Sequence, residues 1–212
     1  MFQTLWIARH GNRLDFVDPD WFLLAERPYD PPLSADGVVQ AKELGHRLKS
    51  ENIKHIFASP FLRTVQTAYE VAKVLDKPIK LEAGLCEWLN PEWMPDTPAR
   101  LPREVLAAEY PAIDLSYQSR VLPKYPESEE ILRQRMTKTA KLLAEEFSEE
   151  ILLVTHGAFV VEGTSGLMGG RPLVNPQLCC LVKLVRNSGE WKMELNGDTS
   201  HLSRKQEPVR LN

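Results

Sequence analysis

The sequence predicts an α/β fold: a mostly parallel central sheet flanked by helices on both faces, in three layers. Three observations carry this. Short apolar runs bounded by breakers alternate with amphipathic helical stretches, the pattern of parallel strands joined by helical crossovers. The run Ile151-Leu152-Leu153-Val154 is apolar without interruption, as a central strand covered on both faces requires. The first run, Thr4-Leu5-Trp6-Ile7-Ala8, ends at Arg9-His10-Gly11, and the Ile151 run ends at Thr155-His156-Gly157, so strand, histidine and glycine follow one another twice.

Composition limits the function classes. The chain has 212 residues, 43% hydrophobic and 26% charged, enough for one domain with a substantial core. A formal net charge of −3 argues against general nucleic-acid binding, so an anion site must be a local cluster of cations. Met1-Phe2-Gln3-Thr4 has no basic region and no long apolar core follows, so neither a signal peptide nor a membrane span is expected. The three cysteines, Cys86, Cys179 and Cys180, form no Cys-x-x-Cys pair, and adjacent cysteines make a poor disulfide. A reduced, cytoplasmic setting is the simplest expectation. Cys180 and Arg186 have the Cys-x5-Arg spacing of cysteine-dependent phosphatases. The residues between them, Leu181-Val182-Lys183-Leu184-Val185, are a strand-like run without the glycine-rich loop that would cradle phosphate.

In chain order, the first strand gives way to Leu14–Pro32, rich in Asp, Pro and aromatics, with no period and with Pro28, Pro31 and Pro32 against a helix. It is either a binding lid or a packed surface loop. Ser34 caps the next helix, Asp36 suits its positive end, and Val38, Ala41, Leu44 and Leu48 form its stripe. Lys54-His55-Ile56-Phe57-Ala58 reads as the second strand. Ser59 is placed as an N-cap and Pro60 at the first helical position of a helix whose stripe is Val65, Ala68, Ala72 and Leu75. Arg63 lies off that stripe, in the first turn. There it is either an exposed helical arginine or an anion ligand at a strand end and a helix N-terminus.

Pro78–Leu81 is a short third strand. Glu87 follows in an apolar patch ending at Trp88; it is either a surface glutamate or a general acid with a raised pKa. Leu89–Pro126 is an irregular, proline-rich insertion over the strand ends, helical only at Arg103–Glu109. Ser128–Phe147 is a long helix with Ile131, Leu132, Arg135, Met136, Thr139, Leu142, Leu143 and Phe147 on one face. After the Ile151 strand, Ala158–Met168 is a helix closed by Gly169-Gly170. Leu178–Val185 and Trp191–Leu195 are a final strand pair around Asn187-Ser188-Gly189, and the tail after Asn196 is irregular.

Parallel strands put their carboxyl ends on one edge. Arg9, His10, Arg63 and His156, with Arg13 close behind, are therefore expected at one place in a net-negative chain. The set Arg9-His10-Gly11, Ser59-Pro60 with Arg63 and Thr67-Ala68, Glu87, and Thr155-His156-Gly157 resembles the histidine phosphatase superfamily in order and spacing over nearly the whole chain. Within it, Arg9-His10-Gly11-x-Arg13 with Gly84-Leu85-x-Glu87-Trp88 is most similar to the phosphatase domains of the suppressor of T-cell-receptor signalling proteins. Thr155-His156-Gly157 is unlike the acid phosphatase and phytase branch, which has His-Asp there.

The resemblance implies a phosphoglycerate mutase-like fold as a single domain, 1–212, with insertions at about 14–32 and 89–126. It implies a phosphomonoester hydrolase with His10 as nucleophile and Glu87 as acid and then base. Arg9, Arg13, Arg63 and His156, with Asn12, would bind the phosphoryl oxygens. No cofactor is implied; a metal held by His10, His156 and Glu87 is opposed by the adjacent arginines. Asn12-Arg13 replaces the Glu or Gln and Ser that continue the mutase motif, which argues against a phosphoglycerate mutase. A catalytically inactive phospho-ligand binder would have no use for Glu87. The expected ligand is a small phosphorylated substrate or a phosphotyrosine-type group, with no nucleic acid and no membrane, on a monomer or homodimer.

Overall fold

The computed structural model describes residues 3–204; Met1-Phe2 and the end of the polar tail lie outside the described residues. Six strands form one sheet: β1 (Gln3–Arg9), β2 (His55–Ala58), β3 (Ile79–Leu81), β4 (Ile151–Thr155), β5 (Leu181–Asn187) and β6 (Glu190–Asp198), in the order β3-β2-β4-β1-β5-β6. The four strands β3, β2, β4 and β1 are mutually parallel, and β5 and β6 add an antiparallel hairpin beside β1. Ser188 and Gly189 both have positive φ (53° and 96°) in the two-residue turn of that hairpin, the geometry that matches strand twist. Contrary to expectation, regular structure continues past Asn196, because β6 pairs with β5 as far as Asp198 opposite Leu181.

The strand residues alternate between two cores. Leu5, Ile7, Phe57 and Leu153 face α5 (Glu129–Glu146) and α6 (Gly157–Met168). Trp6, Ala8, Ile56, Leu152 and Val154 face α2 (Ala35–Leu48) and α3 (Leu62–Leu75). This is the three-layer arrangement the sequence predicts. Ser34 caps α2 by accepting from the Gly37 amide, and Ser128 caps α5 by accepting from Ile131.

Three local expectations are corrected. Ser59 does not cap α3: the helix begins at Leu62 with Phe61 as cap residue, and the Leu62 amide donates to Asp30 of the distant 14–32 segment at 2.7 Å. Ile131 is exposed, so the inner face of α5 runs instead through Leu132, Arg135, Met136, Thr139, Ala140, Leu143 and Ala144. The 14–32 segment is not wholly irregular, since it carries a 3-10 turn at Leu14–Phe16 and a one-turn helix α1 (Trp21–Leu24). In the 89–126 insertion, α4 (Arg103–Glu109) forms as expected, and Ile113 also bridges Ile79 at the sheet edge.

One close approach fixes how the first strand end meets α2. A Cβ on Gly37 would lie 2.1 Å from the Asn12 carbonyl oxygen, and one on Gly11 would lie 2.6 Å from that of Gly37. Both residues must be glycine for the Arg9-His10-Gly11 turn to pack on the helix.

Candidate active site

The carboxyl ends of β1, β2 and β4 lie together, and each delivers a site residue. His10 follows β1 and is fully buried. Its backbone is fixed on both sides, by its amide to the Thr155 carbonyl at 2.9 Å and by its carbonyl accepting from Cys179 at 3.0 Å. The ring Nδ1 stands 2.7 Å from the Gly11 carbonyl oxygen. A carbonyl can only accept, so Nδ1 carries the proton and Nε2 keeps its lone pair. Nε2 is buried and has no hydrogen-bond partner among the described residues. Burial, then the charges of Arg63 and Arg9, hold the His10 pKa well below the usual histidine range, so the ring is neutral at pH 7.

His156 follows β4, with its ring centroid 5.3 Å from that of His10. Its Nε2 lies 2.9 Å from Ser59 Oγ, and its Nδ1 lies 3.1 Å from Arg63 Nη2 and 3.3 Å from Glu87 Oε2. Burial brings the His156 pKa down to about 4, against the opposing pull of Glu87. Ser59, at the end of β2, is a site residue that sequence reading assigned to a helix cap. Its position at a strand carboxyl end was the signal for the other role.

Arg63 is 1% exposed in the first turn of α3. Nη2 also approaches Glu87 Oε2 at 3.5 Å, while Nε and Nη1 have no partner among the described residues. Burial pulls its pKa to about 10, so it remains a cation at pH 7. Thr67 Oγ1 donates to the Arg63 carbonyl and accepts from the Gly11 amide, which ties α3 to the turn after β1.

Glu87 corrects an expectation. Its apolar neighbours leave either a surface glutamate or an acid with a raised pKa, and the buried carboxyl is neither. Burial does push it up, but His156, Arg63 and the Trp88 amide outweigh burial and hold the carboxyl well below the usual range. The apolar sequence around it says nothing of the cations that other strand ends bring to it.

The remaining expected ligands divide. Arg9 is buried, donates to the Pro176 carbonyl at 2.6 Å, and contributes positive charge at His10. Arg13 stacks over Phe16 at 4.4 Å and is paired with Asp15 through Nε at 2.9 Å. Asn12 is engaged within the turn and with α2: Nδ2 donates to Asp36 at 2.8 Å and Oδ1 accepts from the Arg13 amide at 3.0 Å. Its side chain is spent on joining the turn to α2.

A cavity of about 440 Å³ opens onto these groups. Arg13, Asp15, Arg63 and Glu87 form its polar lining; Phe16, Phe22, Tyr29, Trp93 and Met94 form the apolar part. Both loop segments thus contribute, as expected of long excursions from strand ends. One donor atom each from His10, Glu87 and His156 falls within 4.8 Å of the others, a spacing that suits a metal ion. The chemistry does not suit it, because the Arg63 guanidinium sits 3.1 Å from His156 Nδ1 and 3.5 Å from Glu87. A divalent cation there would meet a fixed positive charge. The Cys180-Arg186 spacing forms no site: the five residues between them lie in β5, burial pushes the Cys180 thiol up to about 12, and Arg186 stacks on Trp191.

A parallel sheet whose strand ends converge on a neutral buried histidine, a second histidine, an arginine and a carboxylate defines an α/β protein with a built site at its strand ends. The histidine phosphatase superfamily (branch 1) model matches residues 5–199, and the chain belongs to that family. It is 36% identical over 185 residues to the transcription factor tau 55 kDa subunit of Saccharomyces cerevisiae, covering 78% of this chain and 41% of that protein. It is 27% identical over 238 residues to mouse ubiquitin-associated and SH3 domain-containing protein B, covering 93% of this chain and 37% of that one. The latter is one of the suppressor of T-cell-receptor signalling proteins that the sequence motifs resemble. The chain thus spans about two-fifths of the length of these relatives. Among solved structures, ecdysone phosphate phosphatase from Bombyx mori with tungstate superposes with a TM-score of 0.79 at 22% identity, covering 99% of this chain and 98% of that one.

The site makes a prediction for stability. His10 and His156 are held neutral in the fold but protonate near pH 6.5 once unfolded, so below that value the unfolded chain binds more protons. Stability is then lost as pH falls through 6.5 towards 4, by up to about 1.4 kcal/mol per histidine per pH unit. Thermal melts at pH 7 and pH 5 should show a lower midpoint at pH 5, with a smaller drop in His156→Asn. Equal midpoints at both pH values would contradict the buried neutral histidines.

Proposed function

We propose that this chain is a metal-independent phosphomonoester hydrolase that works through a phosphohistidine on His10, as a single domain. One observation carries the reading: the Gly11 carbonyl fixes the tautomer of a buried, neutral His10, so Nε2 is the nitrogen with a free lone pair. Attack by Nε2 on phosphorus forms the N–P bond as the ester P–O bond breaks. Arg63 offers its Nε and Nη1, which have no hydrogen-bond partner among the described residues, to the equatorial oxygens, where charge changes during transfer, and Arg9 adds to that field. Arg13, which lines the cavity, holds Asp15 through Nε and Nη2 and can turn Nη1 to the phosphoryl group, and Asn12 joins the turn to α2.

Glu87 gives the leaving oxygen a proton, then takes one from the water that cleaves the N–P bond. Its carboxyl is ionised beside Arg63 and His156. A phosphoryl dianion draws on the same Arg63 guanidinium and repels the carboxylate, so substrate binding raises the Glu87 pKa and favours protonation.

The aromatic lining of Phe16, Phe22, Tyr29 and Trp93 favours an aryl or other apolar leaving group, including a phosphotyrosine-type side chain. The name of a 28% identical Drosophila melanogaster relative, ecdysteroid-phosphate phosphatase, supports a bulky apolar phosphate ester. The name of the yeast relative supports a second setting, the same domain carried within a larger protein assembly. No helix among the described residues is long and apolar enough to cross a membrane, and a cytoplasmic monomer or homodimer without nucleic acid fits the composition.

The test is hydrolysis of para-nitrophenyl phosphate in EDTA. Undiminished release of para-nitrophenol is expected, because arginines and not a metal neutralise the phosphoryl group. Loss of activity in EDTA that added divalent metal restores would overturn the metal-free assignment. Turnover of 3-phosphoglycerate only with its bisphosphate primer would identify a mutase instead.

A further inference from the structure

The reading above uses Glu87 but does not explain what holds it. Residues 83–89 between β3 and the insertion form no strand and only a single 3-10 turn, Ala83–Leu85, so their carbonyls need partners from elsewhere. Thr155 Oγ1 supplies one, at Leu85, and Arg135 supplies three, at Gly84, Cys86 and Glu87. It is the one charged residue on the apolar face of α5, and it is 6% exposed.

The guanidinium has five N–H groups, and five acceptor contacts surround it. Nη1 donates to the carbonyls of Gly84 at 2.8 Å and Cys86 at 3.0 Å. Nη2 donates to the carbonyl of Glu87 itself at 3.1 Å. Nε and Nη2 also donate to the two carboxylate oxygens of Glu127, at 2.5 and 2.7 Å. Glu127 is fully covered at its side chain and grips the same segment from the far side. Its Oε2 accepts from the Leu89 amide, its carbonyl accepts from Trp88 Nε1, and its amide donates to the Leu89 carbonyl. Glu87 is thus clamped at its own carbonyl and at both flanks, while Oε1 accepts from the Trp88 amide and Oε2 faces Arg63 and His156.

We infer that the buried Arg135–Glu127 pair is a positioning device for Glu87: by binding the backbone of 84–89 it sets where the proton-transferring carboxyl stands relative to the leaving oxygen. An apolar residue at 135 would fill the same space and pack as well or better, since a buried ion pair gains little over hydrophobic packing. It would leave the Cys86 and Glu87 carbonyls without their donor, Gly84 with only Thr139 Oγ1 at 3.4 Å, and the acid free to drift. Lysine keeps the charge but has no planar fork and only three donors, so it cannot serve all five acceptors. This proposal rests on Glu87 being the acid.

The experiment compares an alkyl phosphate, whose leaving oxygen must be protonated, with para-nitrophenyl phosphate, whose leaving group departs as an anion. Kinetics of Arg135→Lys and Glu127→Gln are measured against the wild type and Glu87→Gln, each with its pH profile and thermal melt. A cooperative melt identifies folded variants, and two substitutions guard against one that does not fold. General acid catalysis supplies about 10²–10⁴-fold, so a misplaced acid is expected to lower kcat/KM, which reports the first transfer alone, for the alkyl ester about tenfold or more beyond its effect on the aryl ester. Adding Arg135→Lys to Glu87→Gln should then cost little further, because the two act through one group.

Equal losses on both esters in a folded variant that keeps Glu87, or no loss at all, overturn the clamp. If Glu87→Gln shows the selective loss and Arg135→Lys and Glu127→Gln do not, the acid assignment stands and only the clamp fails. If Glu87→Gln itself loses both esters equally, the acid assignment fails first and the clamp with it.

Discussion

His10→Ala is expected to reduce hydrolysis of para-nitrophenyl phosphate at least ~10³-fold, the scale on which nucleophile removal acts in covalent catalysis. Several features single out this ring. It is neutral because burial and the surrounding arginines oppose its protonation, so no proton must be removed before attack. Its Nδ1 is engaged by Gly11, which fixes the ring orientation as well as the tautomer. His156, the other buried histidine, has both nitrogens within reach of Ser59, Arg63 and Glu87, so neither is placed to attack. Rapid quench under alkaline conditions should trap acid-labile radiolabel on the wild type and none on His10→Ala. Radiolabel persisting in the variant, or more than a trace of turnover, would remove His10 as the nucleophile.

The second large effect is expected at Arg63. Arg63→Ala should lower kcat for the same ester by about 10²–10³, comparable with loss of one pre-organised transition-state donor. Two guanidinium nitrogens have no hydrogen-bond partner among the described residues, at a buried position. A fold spends such desolvation only where a ligand repays it, so the substitution removes ligand contacts more than folding contacts. Arg63 also helps hold the Glu87 carboxyl down, so its removal raises that pKa, and the acidic limb of the rate profile should move to higher pH. A change confined to KM would show that Arg63 binds substrate and transition state equally. An unmoved pH profile would separate it from Glu87.

Much of the fold was legible because local rules and tertiary structure agree. The alternation of apolar runs with amphipathic stripes predicted β1, β2, β3, β4, α2, α3 and α5, and Ser34 caps α2 as its sequence context indicates. Where local signals failed, a distant residue had taken over the role. Ser59 and Pro60 look like a helix start, but Asp30 satisfies the first amide of α3 across 32 residues, which frees Ser59 for His156. Ile131 fits the apolar stripe of α5 by spacing, yet lies in the first turn of the helix and is exposed.

The sequence by itself determined the layer architecture, the strand ends and the identity of the reactive groups, because these follow from periodicity, breakers and residue chemistry within short windows. Only the tertiary structure decided the state of those groups. Whether Glu87 is raised or lowered depends on Arg63 and His156, which are 24 and 69 residues away in the chain. Whether Asn12 and Arg13 meet phosphate depends on Asp36 and Asp15. What fixes Glu87 depends on Arg135 and Glu127, brought to it by α5. Charge interactions and hydrogen bonds act through space, at distances that sequence spacing does not encode, so the chemistry of the site became readable only when the strand ends were brought together.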